Sequence, residues 1–278
     1  MTSVASRHAV HPAHFQSMNT QSVRDHFLIE SIFVPGTIQY TYSHFDRLIV
    51  GGAMPAQGVL ALEAFNELKA EYFLQRRELG IINVGAAGTV TADGTRYVLD
   101  NREALYIGRG VKDISFESTA GGQALFYFNS APAHVTFPNK KVSNSEADIA
   151  ELGSAATANQ RTIRKLLVNS VLQTCQLQMG LTELKTGSVW NTMPPHTHTR
   201  RMEAYFYFGI PPGQAVCHIM GPPDETRHIW LSNHQAVISP PWSVHCGAGT
   251  SNYSFIWGMA GENLDYGDMD GVAVSELR

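Results

Sequence analysis

The chain has 278 residues, enough for one large or two modest domains with a substantial core. Lys and Arg number 20 against 24 Asp and Glu, a net charge of -4 without the basic excess that a nucleic-acid partner would require. Three cysteines, Cys175, Cys217 and Cys246, form no CxxC pair, which suits a reducing compartment better than a disulfide framework. No apolar run reaches membrane-spanning length and residues 1–15 have no signal-type apolar stretch, so no membrane partner is expected and the expected location is cytoplasmic.

Along the chain, residues 60–74 show an apolar spacing compatible with a helix, although 71–74 could equally open a strand. From Leu79 onward short β-type runs alternate with Gly, Asn and Asp. They fall at 80–84, 89–91, 95–99, 104–107 and 123–128, with Asp93-Gly94 as a strong hairpin turn. Residues 142–160 lack this pattern and read as a linker carrying a short helix around 146–152. Strand patterns return at 164–171, 175–184, 203–208, 214–220, 226–231, 236–239 and 253–257. Two β-rich halves predict an all-β duplicated barrel, with domains at 1–145 and 146–278. Ser130-Ala131-Pro132-Ala133-His134 loosely resembles the stretch from Ser239 to His245, but the first half has no His-x-His and is not expected to carry the same metal.

The informative local feature is His196-Thr197-His198, followed by Glu203 and, far downstream, His245. Three imidazoles and a carboxylate suit a borderline transition metal such as zinc. Alternation on a strand turns both rings of His-x-His to one side. The connection 199–202 has hairpin length, so a hairpin would face Glu203 back toward the histidine pair. Cys246, next to His245, would then point to the opposite face as a small packed hydrophobe.

These residues resemble the cupin pattern: Gly187, His196, His198, Glu203 and Gly209 match its first motif, and Pro240 and His245 its second. The gap from Gly187 to His196 is longer than usual in cupins, and Trp242 stands where the second motif has Gly. The stretches 191–208, 225–228, 236–240, 258–263 and 268–270, with 76–84 and 130–134, are similar to the 5-keto-4-deoxyuronate isomerases across nearly the whole chain. That resemblance implies an all-β bicupin with one Zn2+ per subunit on His196, His198, Glu203 and His245, assembled as a homohexamer. It also implies a metal-dependent aldose–ketose isomerase that converts 5-dehydro-4-deoxy-D-glucuronate to 3-deoxy-D-glycero-2,5-hexodiulosonate in uronate-polymer breakdown, through a metal-stabilised enediol.

Such chemistry needs a proton carrier and a cation for the substrate carboxylate. The base is not readable from the sequence. Tyr205 and Tyr207 share the face of Glu203, and His218 and His228 could shuttle protons, so Tyr205 and His228 are taken as catalytic candidates. Among Arg161, Arg164, Arg200, Arg201 and Arg227, the substrate-binding candidates are Arg164 and Arg227. Spacing cannot separate zinc from iron, so an iron cupin dioxygenase is the enzymatic alternative, and a non-catalytic sugar-binding cupin the alternative of another class.

Overall fold

The computed structural model describes residues 3–278, and its contacts group into two compact units. Among the described residues the first comprises 3–6, 31–147 and 166–178, and the second 7–30, 148–165 and 179–278. The expected single division near residue 145 is therefore replaced by an exchange of segments, in which 7–30 joins the second unit and 166–178 the first.

In the first unit a seven-stranded sheet runs in the order Ser3–Arg7, Thr37–Ser43, Ile49–Met54, Phe126–Pro132, Arg77–Asn83, Ala104–Ile107, Lys140–Val142. A four-stranded sheet runs Val59–Ala61, Ile114–Ser118, Gly88–Ala92, Thr95–Leu99. Apolar side chains of both sheets, among them Leu79, Ile81, Val90, Phe116, Phe126 and Phe128, form one buried cluster. The Asp93-Gly94 hairpin is present, with φ of 43° and 82° at the two turn residues, the paired positive values of the two-residue turn that matches strand twist.

The second unit repeats the plan. Its seven-stranded sheet runs Asp148–Leu152, Arg161–Leu167, Gln178–Leu184, Ser254–Gly261, Arg201–Phe208, Gln235–Ser239, Leu28–Ile29, and its four-stranded sheet Trp190–Asn191, Val244–Gly249, Val216–Gly221, Arg227–Leu231. The order matches strand for strand except in origin: the last place is filled by a strand from early in the chain. Arg77–Asn83 is thus the counterpart of Arg201–Phe208. At the register position of Glu203, opposite Met259, the first unit has Leu79, opposite Ser130. The first unit puts an aliphatic core residue where the second puts a carboxylate.

Three local expectations need correction. Residues 148–152 form a strand paired with Arg161–Leu167, not a helix, because an edge strand packed on one face tolerates the polar composition of that stretch. Residues 60–74 contain only the strand Val59–Ala61 and a short 3-10 turn at Asn66–Leu68. The likeness between 130–134 and 239–245 is not a repeat, since Ser130 lies on the counterpart of Ser254–Gly261 and Ser239 on that of Ala104–Ile107. Both stretches end a strand at proline, which removes a ladder donor in either setting.

The helices of the second unit are Pro12–Phe15 and Thr20–Phe27, the latter capped by the Asn19 side chain, which accepts from Ser22 N at 2.9 Å. Phe15 and Phe27 pack on Trp242, with ring centroids 5.3 and 6.3 Å away. Trp242, in the place of the motif glycine, anchors the Pro240–Trp242 turn that leads into His245. Among the described residues no helix is long and apolar enough to cross a membrane.

Candidate metal centre

Three strands and a loop bring four side chains together. His196 lies on the short strand His196–Thr197 and His198 just beyond it, Glu203 on Arg201–Phe208, and His245 on Val244–Gly249. The histidine strand pairs with Asp270–Gly271 and not with the strand of Glu203, so the expected hairpin is replaced by a turn at 199–200 and a second partner. One potential ligand atom from each of the four lies within 4.8 Å of the others; His196 is half-buried and the other three are buried.

The contacts are polarised toward a common centre. Glu203 Oε2 stands 3.1 Å from His198 Nε2 and 2.8 Å from His245 Nε2, and His245 Nε2 lies 3.1 Å from His196 Nε2. On the outer side, His198 Nδ1 donates to Asp268 O at 2.9 Å and His245 Nδ1 to Ser243 O at 3.2 Å. These bonds select the tautomers that turn Nε2 lone pairs inward. Two neutral imidazole nitrogens facing each other at 3.1 Å repel unless a proton or cation lies between them. Burial, then His245, pushes the His196 imidazole down to about 2, so it is neutral at ordinary pH. Burial favours a protonated Glu203, but the facing imidazoles of His245 and His198 outweigh it and hold the carboxyl well below its usual range. One carboxylate and three inward imidazoles fit a divalent cation, and the cluster could hold one.

Beside the cluster lies a cavity of about 260 Å³. His196, His198 and Glu203 form one part of its lining, and Ile163, Phe255, Trp257 and Met259 an apolar wall. Gly180 is needed for that wall, because a Cβ there would collide with the Trp257 ring and with the Arg164 carbonyl. Thr182, Thr192, Tyr205 and Tyr266 add polar groups, and Arg161 the cation. Arg161 donates to Asn159 O at 2.9 Å, and among the described residues no carboxylate pairs with it. Tyr205 is buried, with Thr192 Oγ1 2.8 Å from its hydroxyl; burial, then Glu203, pushes the phenol well above its usual range.

Other candidates lie elsewhere. Arg164 is bound to Glu183 at 2.8 Å and Arg227 to Glu225 at 2.6 Å; Arg227 also donates to Gln16 O and lies over Phe15, and neither residue lines the cavity. His228 is exposed on the four-stranded sheet and does not line it. Tyr207 and His218 sit deeper, joined at 2.7 Å. Cys246 is fully buried, and burial pushes its thiol up to about 12, in keeping with a packed hydrophobe. Thr192, Trp257 and Tyr266 were not foreseen. Period-two alternation along Arg161–Ile163 and Phe255–Trp257–Met259 was the available signal.

Burial, then His245, lowers the His218 imidazole from 6.5 to about 3. The unfolded chain takes up that proton below about pH 6.5 and the folded chain does not, so stability falls with acidification. His196 and Glu203 act in the same direction. The metal-free protein should lose about 1.4 kcal/mol per pH unit for one such imidazole below about pH 6.5. Urea unfolding of chelator-treated protein between about pH 7 and 5 measures this, and a flat profile would contradict it.

A family model described as the KduI/IolB family matches residues 28–271. The chain is 58% identical over 278 residues to the 4-deoxy-L-threo-5-hexosulose-uronate ketol-isomerase of Formosa agariphila, covering 100% of this chain and 99% of that one. It is 53% identical over 273 residues to the protein of the same name from Yersinia enterocolitica, covering 97% and 98%. Its fold is similar to that of an IolB-like protein from Salmonella typhimurium, with a TM-score of 0.73 at 16% identity over 88% of this chain and 96% of that one. An oxalate decarboxylase from Lactobacillus farciminis superposes with a TM-score of 0.55 at 11% identity, over 82% and 80%. These structural likenesses place both halves in the all-β cupin fold.

Proposed function

Because the chain belongs to the KduI/IolB family, we infer that it is a uronate ketol-isomerase, and that its substrate is 5-dehydro-4-deoxy-D-glucuronate, converted to 3-deoxy-D-glycero-2,5-hexodiulosonate. The observation that carries this reading is an Arg without a carboxylate partner, Arg161, lining the same cavity as the three-histidine, one-carboxylate cluster. A keto-uronate has the matching parts: a carboxylate at one end, and a carbonyl beside a hydroxyl at the other.

His196, His198, Glu203 and His245 would hold zinc, one per subunit. Zinc in such a site supplies Lewis-acid polarisation of the substrate carbonyl. The net reaction moves one hydrogen between adjacent carbons and one between their oxygens, so no oxidant is consumed. Arg161 holds the substrate carboxylate through its fork of N–H donors and sets which end of the chain reaches the cluster. Tyr205, kept protonated by burial, donates its hydroxyl hydrogen toward the substrate oxygen as charge gathers there, with Thr192 orienting it. Phe255, Trp257 and Met259 exclude water from that step. A homohexameric assembly and a cytoplasmic location complete the reading, supported by the family resemblance.

The test supplies the purified protein with the keto-uronate and follows product by NMR, before and after chelation, with metal content and oxygen uptake measured in parallel. Isomer formation that stops on chelation and returns with zinc, without oxygen uptake, is expected. Absence of isomer from metal-replete protein, or oxygen consumption with substrate, would overturn the reading.

A further inference from the structure

Arg201 opens the strand of Glu203 and is fully buried. Its Nη1 donates to Asn263 O at 3.0 Å and Asp265 O at 2.9 Å, and its Nη2 to Asp268 O at 3.1 Å. The same Nη2 lies 3.0 Å from His198 Nδ1, whose hydrogen also goes to Asp268 O. Among the described residues no carboxylate forms an ion pair with this guanidinium, so its buried charge is met by carbonyls of one short segment. The stretch 263–270, which contains these carbonyls, supplies Tyr266 and Met269 to the cavity lining. Its ends are tied to the histidine turn: Arg200 N donates to Asn263 Oδ1 at 2.7 Å, and Thr199 Oγ1 to Asp270 Oδ2 at 2.7 Å.

We propose that Arg201 is a positioning residue that straps 263–268 against the metal ligands, so that one guanidinium orients His198 and holds a wall of the substrate cavity. The proposal rests on the metal reading of the four-residue cluster. Three carbonyls from one irregular segment turn inward only because a planar fork of donors can satisfy them together. Asp268 O is shared, accepting from Arg201 and from His198, so displacing the strap removes the acceptor that selects the His198 tautomer.

Arg77 provides an internal control. It opens the counterpart strand of the first unit, is buried, and donates to Ser130 O and Arg47 O, away from any candidate ligand. Arg201→Met and Arg201→Lys should weaken zinc binding about 10- to 100-fold, as loss of a ligand's outer partner typically does. Zinc alone, competed against a chromophoric chelator, is the probe. Protease should cut within 263–268 faster in both variants, whereas Arg77→Met should lower the thermal midpoint with zinc affinity within about twofold of wild type. If Arg201→Met does not fold, Asn263→Ala decides, with a severalfold loss of zinc affinity expected at an unchanged thermal midpoint. Zinc affinity within about twofold of wild type in the folded Arg201 variants, or in Asn263→Ala, would overturn the proposal while leaving the metal reading intact. Wild-type protein that takes up no zinc would overturn both.

Discussion

Glu203→Gln is expected to reduce isomerase turnover by about a thousandfold, equivalent to about 4 kcal/mol of transition-state stabilisation, which is within reach of a Lewis acid. The substitution keeps volume and removes the cluster's one negative charge. Three neutral imidazoles would then share a divalent cation with an amide, a poorer ligand, and the amide NH2 would compete for the inward lone pairs of His198 and His245, now 3.1 and 2.8 Å from the carboxylate. Metal content should fall with activity. The metal-free fold should survive, because the strand Arg201–Phe208 is held on both sides by its ladders to Gln235–Ser239 and Ser254–Gly261. Turnover, elemental analysis and thermal midpoint separate these effects. Activity retained by a metal-free Glu203→Gln variant would refute the assigned role.

Arg161→Ala should lower kcat/KM about 10- to 150-fold, matching the roughly 1.5–3 kcal/mol of a hydrogen bond to a charged group. If the carboxylate contact is equal in ground and transition states, the loss appears in KM alone. Arg161→Lys should fall between, keeping the charge and losing the fork. Arg164→Ala and Arg227→Ala should leave the kinetics within about twofold, since each side chain is engaged in an ion pair away from the cavity. Kinetics that single out Arg164 or Arg227 and spare Arg161 would reverse the assignment.

The four-residue cluster was legible in the sequence because it obeys local rules: the His-x-His spacing sets His196 and His198 together, and Glu203 lies in a strongly β-type run. The substrate wall was not, because it is assembled from strands that become neighbours only in the folded sheet. Arg161 and Trp257 are 96 positions apart in numbering, yet both line one cavity. Arg164 sits on the same strand as Arg161 but three positions on, which turns it to the opposite face and into contact with Glu183. The duplication was legible from strand spacing, whereas the exchange of 7–30 and 166–178 was not, since nothing in a two-residue strand such as Leu28–Ile29 announces its partner.

That small strand bears on how the protein comes into being. Leu28 and Ile29 pair with Val237 and Ala236, so a segment that leaves the ribosome early waits for roughly two hundred further residues before its sheet exists. Until then its buried leucine and isoleucine, with Phe15 and Phe27 nearby, lack their final partners. The sheet that carries Glu203 therefore closes near the end of synthesis. Cutting the gene between its two repeats would leave the edge of Gln235–Ser239 open and Trp242 uncovered. The two halves of this duplicated protein are inherited, and folded, as one.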